Sequence, residues 1–365
     1  VRLRTVNESL GAPDARLPVN VGDDLVFALS GREDVRLALH TGDDQGVGVG
    51  VAQAAGVLDL RLSQGDLLPL TEDPAANLLA ENLSAPDIDL AAAAGRLGGR
   101  PGDSVGPLTV DAPGDGRVSA DAQGSINLQA PTGDLPVETV EGGGPARLAA
   151  KKIKDGADGS GPAQDVIFGN TVSVDGDLTV LAAQSVGMDA DAEIDGGGAV
   201  TVTTVAGDVT VGRRARLEGA ETVDIVVPGT HNLEIAARGQ VQAGQSLTAA
   251  VGSDPGQTDR QAGEIVMEAG SAFTSGGTVD LAAGERVEVA TVETTAEPGQ
   301  VPADQDALAI QIASNGAIVG AGPDQAPHVV ADQANSGARL DAAGAIRGAD
   351  GEAAPLVTDA RHLDA

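Results

Sequence analysis

Residues 199–219 read AVTVTTVAGDVTVGRRARLEG. Within them the apolar pairs Val200/Val202 and Val209/Val211, and then Leu217, recur at steps of about nine and eight residues. Each short run alternates apolar with polar side chains, the period of a strand with one buried face, and each is closed by Gly or Asp. Residues 220–244 repeat the plan with Val223/Ile225, Leu233/Ile235 and Val241. Residues 245–276 repeat it with Leu247, Ile265/Met267 and Phe273, the extra length falling in the polar insert from Ser253 to Ala262. Residues 277–296 supply Val279/Leu281 and Val287/Val289, and residues 170–198 supply Val172/Val174, Leu178/Val180 and Ile194. Each unit reads as one triangular turn of coiled parallel strands, so the chain is predicted to be all-β, a parallel β-helix (β-solenoid) with Gly/Asp-rich corners and looped-out inserts. No such turn can bury its own top and bottom, so stability requires at least about three stacked neighbours.

Composition agrees. The 365 residues include 54 acidic and 22 basic side chains, a net charge of −32, with 51 Gly and 19 Pro. An apolar share of 41% is too high for a disordered acidic chain. Three Phe and no Trp or Tyr argue against a bulky, deep-pocketed core and fit thin layers of Val, Ile, Leu and Ala. The absence of Cys excludes a disulfide framework, a zinc ribbon and a thiol nucleophile. No apolar run approaches the ~18 residues of a spanning helix, so membrane insertion is not expected. The charge repels phosphate backbones and anionic lipid, which excludes nucleic acid as a partner. All three lysines lie at Lys151, Lys152 and Lys154, every other cation being Arg. Abundant Asp with little Lys fits a high-salt habitat and equally a surface that collects divalent cations. The start Val1-Arg2-Leu3-Arg4 shows no Met and no charged-then-apolar leader, so the expectation is either a removed signal or, the favoured reading, a piece of a longer chain.

Four segments follow. Residues 1–140 form an irregular β-solenoid segment in which 24–29, 35–39 and 57–62 alternate as strands. Residues 141–165 read as an exposed Gly/Lys-rich loop, 166–296 as regular triangular turns, and 297–365 as a continuation with acidic loops. A second repeat (Gly, apolar, Gly, polar loop, Pro, apolar pair) occupies 93–112, 315–332 and 343–360, and reads as strand, looped-out corner and returning strand. The best helical window runs from Pro74 to Leu83 and amounts to a turn or two.

The segments Gly124-Ser125-Ile126-Asn127-Leu128-Gln129-Ala130, Gly176-Asp177-Leu178-Thr179-Val180 and Gly277-Thr278-Val279-Asp280-Leu281-Ala282-Ala283-Gly284 resemble rungs of large bacterial exoproteins. So do the loops ending Gly106-Pro107-Leu108-Thr109-Val110-Asp111-Ala112. The resemblance, best over residues 94–365, is to the filamentous-haemagglutinin-like adhesins exported by two-partner secretion. It implies a right-handed parallel β-helix shaft, secretion to the bacterial cell surface, and a role in adhesion or cell–cell contact. The family's secretion domain has no matching stretch here, and the family offers no catalytic motif to transfer.

Chemistry-bearing motifs are few. His40, His231, His328 and His362 lack metal-ligand spacing, and Gly46/Gly48/Gly50 lie in a strand-like run rather than before a helix. Asn7-Glu8-Ser9 and Asn82-Leu83-Ser84 fit the glycosylation pattern, for which chance is the simpler origin. In the run from Met188 to Gly196, a period of two places Asp189, Asp191, Glu193 and Asp195 on one outward face, with Met188, Ala190, Ala192 and Ile194 inward. Close parallel carboxylates repel, and Ca²⁺ with its six to eight oxygen ligands would relieve them. A hydrated acidic face is the other reading, and no further cofactor is expected. The expectation for function is a non-enzymatic structural and adhesive segment of a secreted surface fibre. Its partners would be further copies or a longer chain, a host or neighbouring cell surface, or extracellular polysaccharide. The alternative is a β-helix protein that binds or cleaves polysaccharide, although Tyr and Trp platforms for sugar rings are missing. An ice-binding ladder does not arise, because Thr201/Thr203 does not recur at matching positions.

Overall fold

The computed structural model describes residues 2–4, 9–12, 14–21, 27–41, 46–70, 82–100, 105–150, 164–252, 262–294, 308–315, 317–321, 328–331, 337–342, 346–347, 357–358 and 362–364. Every regular element among them is a strand, and these strands pair in parallel, so the fold is the parallel β-helix that the sequence predicts. Two compact units divide the chain, Val1–Ala183 and Gln184–Ala365.

In the second unit each turn has three strands. One turn comprises Val200–Thr204, Val209–Val211 and Arg216–Gly219, the three runs of the stretch at residues 199–219. The next comprises Thr222–Val227, Leu233–Ile235 and Gln240–Ala243. The following two are Ser246–Val251, Glu264–Met267 and Ala272–Ser275, then Thr278–Ala283, Arg286–Val289 and Thr291–Thr294. Pairing is in register, so equivalent side chains stack. The first face carries the inward column Val200, Val223, Leu247, Val279 and Ile310. The second carries Val186, Val209, Leu233, Ile265, Val287 and Ile318, and the third Ile194, Leu217, Val241, Phe273, Val292 and Val329. None of these exceeds 2% exposure. Each buried aliphatic contributes roughly 1.5–3 kcal/mol relative to exposure, and only the turns on either side provide the cover.

The first unit uses two strands per turn. One sheet takes Val47–Ala54, Leu83–Ser84, Leu108–Asp111, Ile126–Ala130, Ala146–Ala150 and Leu178–Ala182. The other takes Leu17–Val21, Val35–Thr41, Val57–Leu62, Asp87–Ala92, Arg117–Ala122, Leu135–Gly142 and Val166–Val174. Register shifts at Val118/Ser119 and Val137/Thr139 let a long strand bend around what is a separate corner in the second unit. The strand Ala146–Ala150 lies inside the segment read from sequence as an exposed loop, and Leu148, Ala149 and Ala150 are fully buried. Its Gly-rich flank conceals it in the sequence. The lysines fall outside the described residues, as does most of the helical window from Pro74, whose last residue Leu83 is in a strand.

Successive turns touch backbone to backbone at the corners. A Cβ built on Gly276 would lie 2.0 Å from the carbonyl oxygen of Gly244, and one on Gly244 would lie 2.0 Å from that of Ala220. The corner therefore needs glycine to keep the strand spacing of about 4.8 Å. Gly187, on the outward side of Val186–Met188, has nothing within 4 Å of such a Cβ. Gly276→Ala is expected to destabilise by about 3 kcal/mol, the upper end of the ordinary range for single substitutions. Gly187→Ala should leave stability unchanged or raise it by about 0.5 kcal/mol through reduced unfolded-state entropy. Denaturant unfolding of the two variants checks both.

Candidate functional site

The acidic run forms a corner of the second unit. Met188 ends the strand Val186–Met188 and Glu193 opens the strand Glu193–Gly196, with a tight turn between them closed by Ala192 N–H donating to Asp189 O at 3.3 Å. Asp191 sits in this turn at φ +65°. The left-handed residue interrupts the alternation, so Ala190, expected inside, is exposed, whereas Met188, Ala192 and Ile194 are buried. Glu193 and Asp195 project outward from the strand, and Asp189 and Asp191 flank the turn.

The same turn recurs one coil later at Gly212–Ala215 with Arg214 at φ +60°, then at Ala236–Gly239 with Arg238 at +62°, then at Glu268–Ser271 with Gly270 at +79°. Stacking carries charge across the coils. Arg214 Nη2 lies 2.6 Å from Asp191 Oδ2, and Arg216 Nη1 lies 3.5 Å from Glu193 Oε1. Arg216 also pairs with Glu218. The relief that a cation would bring to Asp191 and Glu193 thus comes from arginines of the next turn. Among the described residues, no group of three or more His, Asp or Glu side chains is placed to hold a metal ion.

A denser ionic cluster occurs in the first unit. The Asp59 side chain, 1% exposed, accepts from Arg16 Nε at 2.8 Å and Arg61 Nε at 3.2 Å, and Arg36 Nη1 stands 3.9 Å away. Arg61 also reaches Asp89 at 2.9 Å. Burial works against the Arg61 charge, but Asp89 and Asp59 outweigh it and raise its pKa. Arg36 donates to Asp34 Oδ2, and Val57 N–H donates to Asp34 Oδ1 at 2.9 Å. The Val57 bond lowers the Asp34 pKa, burial opposes it, and Arg36 adds to the lowering. Carboxylates saturated by guanidinium groups are poor nucleophiles and poor bases. The cluster joins residues as far apart as Arg16 and Asp59, and its work is to clamp successive turns.

Other sequence candidates resolve individually. His231 Nδ1 lies 3.6 Å from Asp208 and His40 Nδ1 lies 3.2 Å from Ser63 Oγ, so each faces a different neighbour. Asn82 is 3% exposed. Its Oδ1 accepts from the Thr109 hydroxyl at 2.9 Å and its Nδ2 donates to Gly50 O at 3.0 Å, which removes it from the reach of a glycosylating enzyme. Asn7 lies outside the described residues. Gly48 and Gly50 lie in the strand Val47–Ala54.

One concavity had no signal in the sequence. On the third face of the second unit, Gln240, Gln242, Ala243, Ala272, Thr274, Ser275 and Gly276 line a shallow groove of about 240 Å³. It exists because Ala272 stacks between the longer Gln240 and Thr291. No family model, curated protein or solved structure matches the chain.

Two outcomes test this description. Arg238 has an unfavourable φ, so Arg238→Gly should raise stability by about 1 kcal/mol and β-branched Arg238→Val should lower it, read from thermal melts. Asp34 has a depressed folded-state pKa, so its stabilisation is fully present above its unfolded value of about 3.9 and is lost as the pH falls through the folded value. The stability gap between the parent and Asp34→Asn, measured in urea, should therefore be wider at pH 6 than at pH 2.5.

Proposed function

We propose that this chain is a structural and adhesive β-solenoid segment of a protein secreted to the bacterial cell surface, acting without catalysis. The observation that carries the reading is the disposition of charge on the stacked coils. Among the described residues, Asp89, Asp191, Glu193 and Glu264 meet arginines of neighbouring turns, and no group of three or more His, Asp or Glu side chains is placed to hold a metal ion. Such a surface offers repeated contacts rather than one reactive point. Strand edges can pair with those of another coil, so self-association is part of this reading. Polyanionic faces keep the sides of coils apart.

Beads coated with the chain should be retained on bacterial or host cell layers, or on films of extracellular polysaccharide, above uncoated beads. Equal retention of coated and uncoated beads, or release of fragments from uronate polymers incubated with the chain, would overturn the reading. Salt offers a second check. With a net charge of −32, repulsion between faces opposes folding, and screening relieves it as the Debye length shrinks from about 14 Å to about 3 Å. The melting temperature is expected to rise between 0.05 and 1 M NaCl (about the range over which that shrinkage occurs). A fall would mean that the Arg–carboxylate pairs outweigh the net repulsion.

A further inference from the structure

The third-face groove differs in chemistry from the surface around it. Its outward floor is Gln240 and Gln242 on one turn, with Ala272 and Thr274 directly above them in register on the next. None of these is charged, in a chain with 54 acidic residues. The flanking rows carry charge: Arg216 and Glu218 stack below, and Glu293 stacks above Thr274.

Arg216 is already held by Glu193 and Glu218. Its Nη2 also donates to Gln242 Oε1 at 3.4 Å, which fixes that amide with Nε2 as its remaining donor. Gln240 supplies a second amide and Thr274 a hydroxyl, and among the described residues neither side chain is engaged in a hydrogen bond. The Ala272 methyl group gives the floor a small apolar patch, and Ser275 and Gly276 complete the lining.

We propose that this groove is a binding site for a single neutral sugar residue, free or at the end of a glycan. Amide and hydroxyl groups satisfy the donors and acceptors of ring hydroxyls, and the Ala272 methyl accepts the C–H face of the ring. A carboxylate-bearing sugar is disfavoured there, because the Arg216 charge is already matched by Glu193 and Glu218 and the chain as a whole is strongly negative. A volume of about 240 Å³ lies below the usual range for drug-sized ligands and suits one ring. With no aromatic platform and one open side, the affinity is expected at about the millimolar level.

The test is a ligand-observed NMR titration of the full chain with methyl glucoside and methyl galactoside, with glucuronate and a lysine methyl ester as charged comparators. Binding of at least one neutral glycoside, weakened about tenfold or more by Gln242→Ala and abolished by Ala272→Leu, which fills the groove from outside, is the expected result. Ala272 is an outward position, and an unchanged melting temperature for Ala272→Leu establishes that its fold is intact. Should Ala272→Leu unfold, Thr274→Val removes the hydroxyl without adding bulk, and the same loss is expected. The proposal is overturned if neither glycoside binds, if glucuronate or the lysine ester binds more tightly, or if binding survives these substitutions. The site stands independently of the adhesive reading: its failure would leave bead retention untouched, and failure of retention would leave the titration unchanged.

Discussion

Everything in this protein depends on register. In a parallel ladder each residue sits beside one partner about 4.8 Å away, so a side chain that points inward rests on the equivalent side chain of the next turn. Columns such as Val200, Val223, Leu247, Val279 and Ile310 bury hydrocarbon that no single turn could cover. A slip of one residue would turn the column outward and bring Asp224 or Thr248 in, which penalises wrong pairings as strongly as it stabilises the right one. The thin core follows. Val, Ile, Leu and Ala fill it, and the described Phe168 and Phe273 are its largest members, each fully buried.

The same spacing governs corners and charges. Where backbones of successive turns meet closely, as at Gly244 and Gly276, only glycine fits. Where the chain must turn sharply, a left-handed residue recurs at Asp191, Arg214, Arg238 and Gly270, and three of these four carry side chains that such a conformation disfavours. Stacking turns this strain to use at one point, since it sets Arg214 over Asp191. Pairs a full turn apart, including Arg216 with Glu193 and Arg286 with Glu264, bring together charges distant in sequence. Exposed pairs of this kind contribute little singly, and their consequence is that individual carboxylates such as Asp191, Glu193 and Glu264 are tied to the neighbouring turn.

Much of this was legible in the sequence, and the limits have physical causes. Period-two runs bounded by Gly or Asp placed Val200–Thr204, Val209–Val211 and Arg216–Gly219 on three faces, because burial on one side forces that alternation. The same rule failed at Ala190, where residue types keep alternating while the backbone turns through a left-handed Asp191. Ala146–Ala150 was hidden by flanking glycines, since composition outweighs pattern in so short a run. The Arg–carboxylate partners of the acidic run could not be read, because a separation of 23 residues becomes a contact only once the turn length is known. The groove was equally invisible: it arises from the size of Ala272 relative to residues that become its neighbours only through stacking.

The register itself can be measured directly, because the chain contains no native Cys to compete. Asp224 and Thr248 are outward-facing partners on adjacent turns, and Asp224 and Asp280 are two turns apart on the same column. A disulfide needs Cα atoms about 4.4–6.8 Å apart, which the first pair meets and the second, at about 9–10 Å, does not. Under mild oxidation, the Asp224→Cys/Thr248→Cys double variant should crosslink rapidly within the monomer and the Asp224→Cys/Asp280→Cys variant should not. Failure of the first pair to crosslink, or equal crosslinking of both, would contradict the stacked parallel coil.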